Sequence, residues 1–116
     1  MKSIWKSCPT SIAKAVREIL TADLAVHYSA KELAGRYSIS ESSLKNYFRG
    51  VYGRNISDYM NRLRMEKAAG LLADTGMSVL EVAEKVGYQN QSKFAAAFKR
   101  EYALSPRQYR LEKSTM

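Results

Sequence analysis

Hydrophobic side chains recur at helical spacing along almost the whole chain. Between residues 11 and 23, four apolar side chains fall on one side of a helix. Between residues 55 and 76 the spacing recurs, with Ser57 as a candidate N-cap and Gly76 as a stop signal. These apolar positions are Ile12, Val16, Ile19 and Leu20 in the first stretch and Ile56, Tyr59, Met60, Leu63, Ala68 and Leu72 in the second.

Strand signals are scarce in comparison. The only prolines, Pro9 and Pro106, lie near the ends of the chain. A β-sandwich would show alternating short strands and frequent turn residues, and the sequence lacks both. The pattern therefore predicts an all-α fold.

An internal repeat divides the chain. The segment SAKELAGRYSISESSLKNYF begins at Ser29, and SVLEVAEKVGYQNQSKFAAAF begins at Ser78. The copies align at an offset of 49 before their central turn and 50 after it, because the second turn has one extra residue. The matching positions are Ser29, Glu32, Leu33 and Ala34 with Ser78, Glu81, Val82 and Ala83, and Leu44 and Phe48 with Phe94 and Phe98.

Each copy has the signals of two helices joined by a short turn. Both open with Ser-x-x-Glu, the pattern of a capping box. Gly87 suits a left-handed C-cap in the second turn, whereas Ser38 stands at the equivalent place in the first. Ser40 is the predicted cap of the next helix in the first copy, and that cap lies near Asn90 in the second. The pattern is a helix-turn-helix, present twice.

Two further helices complete the prediction. A linker helix of about residues 57–75 joins the copies, and its length of roughly 25–30 Å approaches one DNA turn, ~34 Å. After the second copy, Ser105, Pro106 and Gln108 occupy N-cap, N1 and N3 of a last helix. Together with the helix before the first copy, seven helices are predicted.

The charge of the chain narrows its possible partners. Its 116 residues include nineteen Lys and Arg against eleven Asp and Glu, for a formal charge of +8. That surplus favours nucleic acid or an anionic membrane surface, although a basic protein without such a partner is an open alternative. No apolar run approaches the ~20 residues of a membrane helix. Because the apolar faces suit internal packing, we predict no membrane association.

Catalytic and metal-binding patterns are missing from the sequence. Cys8 and His27 are the only residues of their kinds, so neither a zinc-ligand set nor a Cys–His nucleophile is supported. No paired carboxylates or phosphate loop stand out. We therefore predict no enzymatic activity, no cofactor and no metal. The single cysteine suits a reducing cytoplasm.

The second half of the chain resembles the signature of the AraC/XylS family of bacterial transcription regulators. The match runs through RMEKAAGLLADTGMSVLEVAEKVGYQNQSKFAAAFKREYALSPRQYR, and the first copy resembles the family through SAKELAGRYSISESSLKNYFRGVYGRNISDYM. Its main features are Leu71-Leu72, Val82-Ala83, Val86-Gly87-Tyr88, Ser92, Phe94, Phe98-Lys99, Ser105-Pro106 and Tyr109-Arg110.

The resemblance implies a DNA-binding domain over residues 10–112, with helix-turn-helix subdomains at about 29–53 and 78–102. Residues 1–9 are then an extension or linker remnant, and residues 113–116 a tail. Recognition helices at about 41–51 and 91–101 would enter successive major grooves. The chain is then either a stand-alone member or, as we favour, the C-terminal part of a larger regulator with an effector or dimerisation domain.

The helical wheel predicts which side chains of the recognition helices face DNA. The predicted buried stripes are Leu44, Tyr47, Phe48 and Val51 in the first helix and Phe94, Ala97 and Phe98 in the second. The predicted base contacts are Ser42, Ser43, Lys45, Asn46, Asn90, Gln91, Ser92, Lys93 and Ala96, since Asn and Gln suit adenine, Lys suits guanine, and Ser suits either. The predicted phosphate contacts are Arg49, Arg54, Lys99 and Arg107. Contact with the DNA backbone is left open for Arg62, Arg64 and Lys67 of the linker helix, and added charge without sequence preference is predicted for Arg100 and Arg110.

Ala96 departs from the family pattern, in which many members carry arginine or another long polar residue at this position. We expect recognition by the second motif to shift toward Gln91, Ser92 and Lys93. Ala95 and Ala96 would then pack on thymine methyl groups or permit a closer fit. The second motif is therefore expected to read less sequence than the first.

The leading functional prediction is sequence-specific binding of double-stranded DNA by a cytoplasmic bacterial transcription regulator. The alternative is a protein-interaction module, in which the same exposed helices dock on RNA polymerase or on a partner domain. The two functions are compatible in an activator. Polar recognition faces alone do not separate them, because any surface helix has a solvated side.

Overall fold

The computed structural model describes residues 8–114, and every regular element in that range is an α-helix. The helices in chain order are α1 (Pro9–Ala22), α2 (Ala30–Arg36), α3 (Glu41–Tyr52), α4 (Ile56–Asp74), α5 (Val79–Lys85), α6 (Gln91–Tyr102) and α7 (Pro106–Ser114). The prediction of an all-α fold with seven helices is confirmed. Within residues 8–114 no helix is both long enough and apolar enough to cross a membrane.

The chain forms two structural units, the first ending at Met60 and the second beginning at Asn61. The boundary falls within α4, so the start of this helix belongs to the first unit and the remainder to the second. Each unit therefore contains one helix-turn-helix pair together with helical segments on either side. The predicted domain limits at residues 10 and 112 remain predictions.

In the first unit, helices α1, α2 and α3 enclose an apolar core. The buried face of α1 packs closely against α3, and the fully covered Phe48 lies at the centre of an aromatic cluster. Its ring centroid is 4.7 Å from that of Tyr52 and 5.2 Å from that of Tyr59, at the start of α4. The buried apolar residues of this unit are Ile12, Ala13, Val16, Leu20, Leu33, Ala34, Leu44, Phe48 and Met60.

The second unit repeats this aromatic arrangement. The ring centroid of Phe98 is 4.7 Å from that of Tyr102 in α6 and 5.3 Å from that of Tyr109 in α7. Each of the three rings follows its counterpart in the first unit by 50 residues. The duplication therefore extends to α7 and the start of α4, beyond the segments matched in sequence. The core of this unit consists of Met65, Ala68, Ala69, Leu72, Val82, Ala83, Val86, Phe94, Ala97 and Phe98.

Most predicted helix caps form as expected. The capping box of Ser78 and Glu81 is complete, and its hydrogen bond from the Ser78 amide lowers the pKa of the Glu81 carboxyl. At the start of α2, the Ser29 hydroxyl accepts from the Glu32 amide at 3.0 Å. The Glu32 carboxylate pairs instead with Arg36 at 3.2 Å, one helical turn further along, so the capping box predicted at α2 is only half formed. A second complete box joins Ser105 and Gln108 at the start of α7, as predicted.

The cap of α4 differs from the prediction. Asn55, not Ser57, occupies the N-cap, since the Asn55 side-chain oxygen accepts from the Asp58 amide at 2.8 Å. The helix begins at Ile56 and ends at Asp74, two residues before Gly76. At its end the Leu71 carbonyl accepts from both the Thr75 amide at 3.0 Å and the Thr75 hydroxyl at 2.6 Å. Asn and Ser are both favourable N-cap residues. Asn55 forms the cap because the amide three residues after it lies in the first turn of α4 and has no carbonyl partner within the helix.

Candidate nucleic-acid interface

The recognition helix of the first unit, α3, is fixed from its inner side. Leu44 and Phe48 have no solvent-exposed surface. Their burial leaves the opposite side of α3 in solvent, as the helical wheel predicts. The exposed candidate contacts on this side are Ser42, Lys45, Asn46 and Arg49.

Two residues of α3 depart from their predicted roles. Val51 was expected in the buried stripe, but 36% of its surface is exposed, so that prediction is wrong. In the last turn of α3 the core contact is made by Tyr52, whose ring lies 4.7 Å from that of Phe48, and Val51 points about 100° away from Tyr52 around the helix. Ser43 is half-buried, its hydroxyl accepts from the Ser40 hydroxyl at 3.0 Å, and its amide donates to the same Ser40 oxygen at 3.1 Å. Ser43 therefore stabilises the start of the helix, and its role as a base contact stays a prediction.

The recognition helix of the second unit, α6, is anchored in the same way. Phe94 and Phe98 are completely buried, and Ala97 is 2% exposed, which confirms the predicted inner face. Ala95 is half-buried at the border, whereas Ala96 lies on the outer side. The exposed candidate base contacts of α6 are Gln91, Ser92, Lys93 and Ala96.

Asn90 immediately precedes α6 and caps it. Its side-chain oxygen accepts from the Lys93 amide at 3.0 Å. Of the two polar groups on this side chain, the oxygen is engaged by the helix, and the amide nitrogen is the group left for a base. Asn90 is therefore less suited than Gln91 to the bidentate hydrogen bonds that recognise adenine.

The candidate phosphate contacts are all exposed. Arg49 and Lys99 lie toward the ends of the two recognition helices, Arg54 follows α3, and Arg107 lies in the first turn of α7. Within residues 8–114 the ion pairs are Arg36–Glu32 and Arg62–Glu66, which leave these four cations unneutralised. Exposed cations without a carboxylate partner are suited to phosphate oxygens.

Three other arginines are engaged within the protein. Only 9% of the Arg64 surface is exposed, and burial lowers the pKa of its guanidinium. Arg110 donates from Nε to the Leu72 carbonyl at 3.0 Å and from Nη2 to the Thr75 carbonyl at 3.3 Å, which caps the end of α4. Arg62 pairs with Glu66 at 3.6 Å. The structure therefore assigns Arg64 to internal packing, which argues against its contact with DNA, and Arg110 to capping, against the expectation that it adds free charge.

Two tyrosine contacts on the buried side of the recognition helices were not predicted from the sequence. In the first unit Arg17 donates from Nε to the hydroxyl oxygen of Tyr59, whose ring packs on Phe48 of α3. In the second unit the Tyr88 hydroxyl donates to the Asn61 side-chain oxygen, and its ring lies 5.8 Å from that of Phe94 in α6. The equal spacing of Tyr59 and Tyr109 within the repeat was the available signal for the aromatic clusters.

The fold and the two faces define the class of protein. Each unit contains a short helix, a tight turn and a second helix whose outer side is polar and basic, the arrangement of a helix-turn-helix protein. Among residues 8–114 no three His, Cys, Asp or Glu side chains are grouped to hold a metal ion.

Comparison with known proteins identifies the family. Residues 33–112 match the family described as "Helix-turn-helix domain". The transcriptional regulator MtrA of Neisseria gonorrhoeae is 38% identical over 85 residues, which are 73% of this chain and 28% of that protein. The chain belongs to the AraC-type helix-turn-helix family, which confirms the resemblance found in the sequence. It spans about a third or less of the length of the curated relatives it matches.

Solved structures share the fold over nearly the whole chain. The C-terminal domain of AraT, a response regulator from Geobacillus stearothermophilus, has a TM-score of 0.83 and 29% identity, covering 90% of this chain and 88% of that one. The DNA-binding domain of AdpA, a global transcriptional factor solved in complex with a target DNA, has a TM-score of 0.77 and 27% identity, covering 87% of this chain and 90% of that one.

Proposed function

We propose that this chain binds double-stranded DNA sequence-specifically as part of a bacterial transcription regulator. The observation that carries the proposal is the duplicated recognition face. Both α3 and α6 bury an aromatic inner side and expose polar and cationic side chains on the outer side. Membership of a family of transcription regulators, one of which was solved with its target DNA, supports the same function.

In the first unit, α3 is proposed to read base edges in the major groove. Asn46 carries an exposed carboxamide near the middle of the helix, which suits the N6 and N7 positions of adenine. Lys45 beside it suits guanine, and Ser42 near the helix start suits either base. Arg49 and Arg54 would bind phosphates and fix the position of α3 without reading sequence.

In the second unit, base reading is proposed to concentrate at the start of α6. Gln91, Ser92 and Lys93 are exposed there, whereas the next exposed outer position is Ala96. An alanine methyl can pack on a thymine methyl but cannot form a hydrogen bond. With Lys99 and Arg107 as phosphate contacts, the second unit would contribute affinity while specifying fewer base pairs than the first.

The arrangement on DNA and the wider partners belong to the same proposal. The two recognition helices would enter successive major grooves, which are separated by ~34 Å. The protein would act in the cytoplasm on chromosomal DNA. The greater length of the curated relatives supports an accompanying effector or dimerisation domain. RNA polymerase is a further partner of the proposed regulator.

Selection of bound duplexes from a random pool, followed by titration across a salt series, tests this function. We expect a selected site with two separated blocks of preferred bases and an affinity that falls linearly on a log–log plot with salt. The matched control is a shuffled duplex of the same composition. Selection of no preferred sequence, or binding that does not respond to salt, would refute sequence-specific DNA binding.

A further inference from the structure

An open cleft of about 520 Å³ lies in the second unit where α5, α6 and α7 meet. Leu80 comes from the first turn of α5, Gln91 begins α6, and Leu111 comes from the middle of α7. The side chains that matter for its chemistry are Val79, Leu80, Gln91, Arg107, Arg110 and Leu111. Only Gln91 and Arg107 belong to the proposed DNA contacts, so the cleft borders that face without being part of it.

The cleft concentrates exposed apolar surface. Leu111 is 65% exposed and Leu80 is 45% exposed. The described part of the chain has four exposed large hydrophobic side chains, and the other two, Val26 and Val51, lie in the first unit. Two exposed leucines lining one cleft indicate an interaction site more strongly than isolated apolar side chains do.

The charge of the lining selects the chemistry of the occupant. Arg107 and Arg110 both line the cleft, and no acidic side chain does. The Arg110 guanidinium is held by the carbonyls at the end of α4, so Arg107 is the exposed cation. An occupant that complements this lining carries a negative charge opposite Arg107 and an apolar group between the leucines.

A protein segment meets both requirements better than the DNA backbone does. Phosphates would satisfy Arg107, but they would place a strongly hydrated polyanion beside Leu80 and Leu111 and leave both leucines without an apolar partner. A peptide can present a carboxylate and a large apolar side chain together. Interfaces of this kind obtain most of their binding energy from a few buried apolar or aromatic anchors.

The first unit shows that the fold does not require such a cleft. By the repeat offsets, the counterparts of Leu80 and Arg107 in the first unit are Lys31 and Ser57, and both are polar. The counterpart of Leu111 is the polar Asn61, where the second unit begins. The apolar and cationic lining is therefore a property of the second unit alone, although both units share the same helices.

We propose that this cleft docks a protein segment in which an acidic side chain stands next to a large apolar one. The apolar side chain would lie between Leu80 and Leu111, and the carboxylate would pair with Arg107. Arg107 is also a proposed phosphate contact, so a docked segment and the DNA backbone would compete for this side chain, whereas Leu80 and Leu111 are outside the proposed DNA contacts. The docking itself does not depend on DNA binding.

Peptide selection on the intact chain tests the proposal. A random peptide library displayed on phage is selected against the protein, and an enriched peptide is then synthesised and titrated by fluorescence anisotropy. We expect enriched peptides to combine Asp or Glu with Leu, Phe or Trp. Leu111→Asp should weaken binding about tenfold or more through loss of the apolar contact. Arg107→Ala should weaken binding and reduce its dependence on salt.

Matched variants separate the cleft from general effects. Leu80→Asp provides a second test, because an acidic residue in the first turn of α5 is compatible with the helix. Val51→Asp places the same charge on an exposed hydrophobic position of the first unit and should change the peptide affinity less than about twofold. Thermal unfolding of each variant verifies that it is folded. Enriched peptides without acidic residues, or binding that survives both leucine substitutions, would overturn the proposal.

The competing occupant has its own outcome. If the cleft held the DNA backbone, Leu111→Asp would weaken binding of a selected duplex as strongly as binding of the peptide. The proposal expects duplex affinity to change little, since Leu111 lies outside the predicted DNA contacts. Equal loss in both titrations would assign the cleft to the DNA interface and refute docking of a protein segment. Loss of peptide binding alone would support the proposal whether or not the chain binds DNA.

Discussion

The two helix-turn-helix units differ in where a left-handed glycine stands. In the first unit it follows the recognition helix, and in the second unit it precedes the recognition helix. The turn before the helix has a left-handed backbone at Ser38 in the first unit (φ 56°) and at Gly87 in the second (φ 92°). The residue after the helix is left-handed at Gly53 in the first unit (φ 73°) and at Ala103 in the second (φ 64°). Each unit therefore has one relaxed and one strained position, because only glycine adopts this conformation without a steric cost.

The units also differ on their outer faces while keeping the same interior. The aromatic triads Phe48–Tyr52–Tyr59 and Phe98–Tyr102–Tyr109 occupy matching positions with nearly equal ring distances. On the outer side, however, α3 exposes Asn46 where α6 exposes Ala96. Packing requirements therefore preserve the interior of the repeat, whereas the surface is free to change what each unit recognises.

The largest expected effect comes from removing the central ring of each triad. Phe48→Ala and Phe98→Ala should each lower the free energy of unfolding by about 3–5 kcal/mol, because a large apolar side chain is replaced by a cavity. Phe98 also contacts Phe94, at 5.9 Å between centroids, so its loss should cost more. Urea unfolding followed by circular dichroism measures both. Val51→Ala, at an exposed position, is the control and should cost about 0.5 kcal/mol or less. A small loss for either phenylalanine would contradict the shared triad.

The next largest effect should separate the two recognition faces. Asn46→Ala is expected to weaken binding of a selected duplex by about 1–3 kcal/mol and to relax preference at one base pair, through loss of a bidentate contact. The measurement is titration against duplexes varied at each position. The control is Lys14→Ala in α1, which removes an exposed side chain outside the two faces. Asn61→Ala would be unsuitable because Asn61 accepts a hydrogen bond from Tyr88. Unchanged affinity and unchanged preference for Asn46→Ala would remove it from the base contacts.

The complementary experiment adds a side chain to the second face. Ala96→Arg should create a preference for guanine at one base pair of the second half-site and tighten binding there by about 1 kcal/mol, since arginine can form a bidentate contact with guanine. Selection of duplexes with the variant measures the preference directly. Ala95→Arg, at the half-buried neighbouring position, is the matched control. An unaltered selected sequence with Ala96→Arg would mean that this position does not face bases.

Backbone strain should give smaller effects, whose sign depends on whether glycine is introduced at a left-handed position or removed from one. Ser38→Gly and Ala103→Gly remove a left-handed cost of about 1–2 kcal/mol, and greater freedom of the unfolded chain offsets about 0.4–1 kcal/mol. Each should therefore stabilise the protein by about 0.5–1 kcal/mol. Gly53→Ala should destabilise it by a similar amount. No atom lies within 4 Å of the added methyl, so sterics with neighbours do not contribute. Thermal unfolding measures all three, and destabilisation by Ser38→Gly would contradict the strain.

Much of the fold was predictable because its signals are local. Apolar spacing and caps within four residues of a helix start predicted all seven helices and the inner faces of α3 and α6. The misplaced cap of α4 was a local error, between Asn55 and Ser57, whereas other errors came from long-range contacts. Arg110 is engaged by carbonyls 38 and 35 residues away, and no local pattern reveals that. The exposure of Val51 likewise depends on where the core of the first unit ends, which helical periodicity alone does not determine.

For the candidate contacts, the sequence was sufficient to predict which face of each recognition helix is exposed. Periodicity placed Asn46 and Gln91 on the outer sides, where the structure has them. It could not foresee that the Asn90 oxygen and the Ser43 hydroxyl are engaged at helix starts, because capping and base contact use the same residue types. Which exposed side chains contact bases remains a prediction, and the substitutions above address it.

The smallest expected effect distinguishes phosphate contact from base contact in the second unit. Lys99 is exposed late in α6 and has no carboxylate partner among the described ion pairs. Lys99→Ala should weaken binding to all duplexes alike and make the salt slope shallower by about 0.9, because one fewer counterion is released. Lys14→Ala removes the same charge from α1, outside the two faces, and should leave the slope unchanged. If both variants changed the slope equally, the effect would reflect net charge. A shallower slope for Lys99→Ala alone, with base preference intact, would mean that the second unit contacts the DNA backbone directly through Lys99.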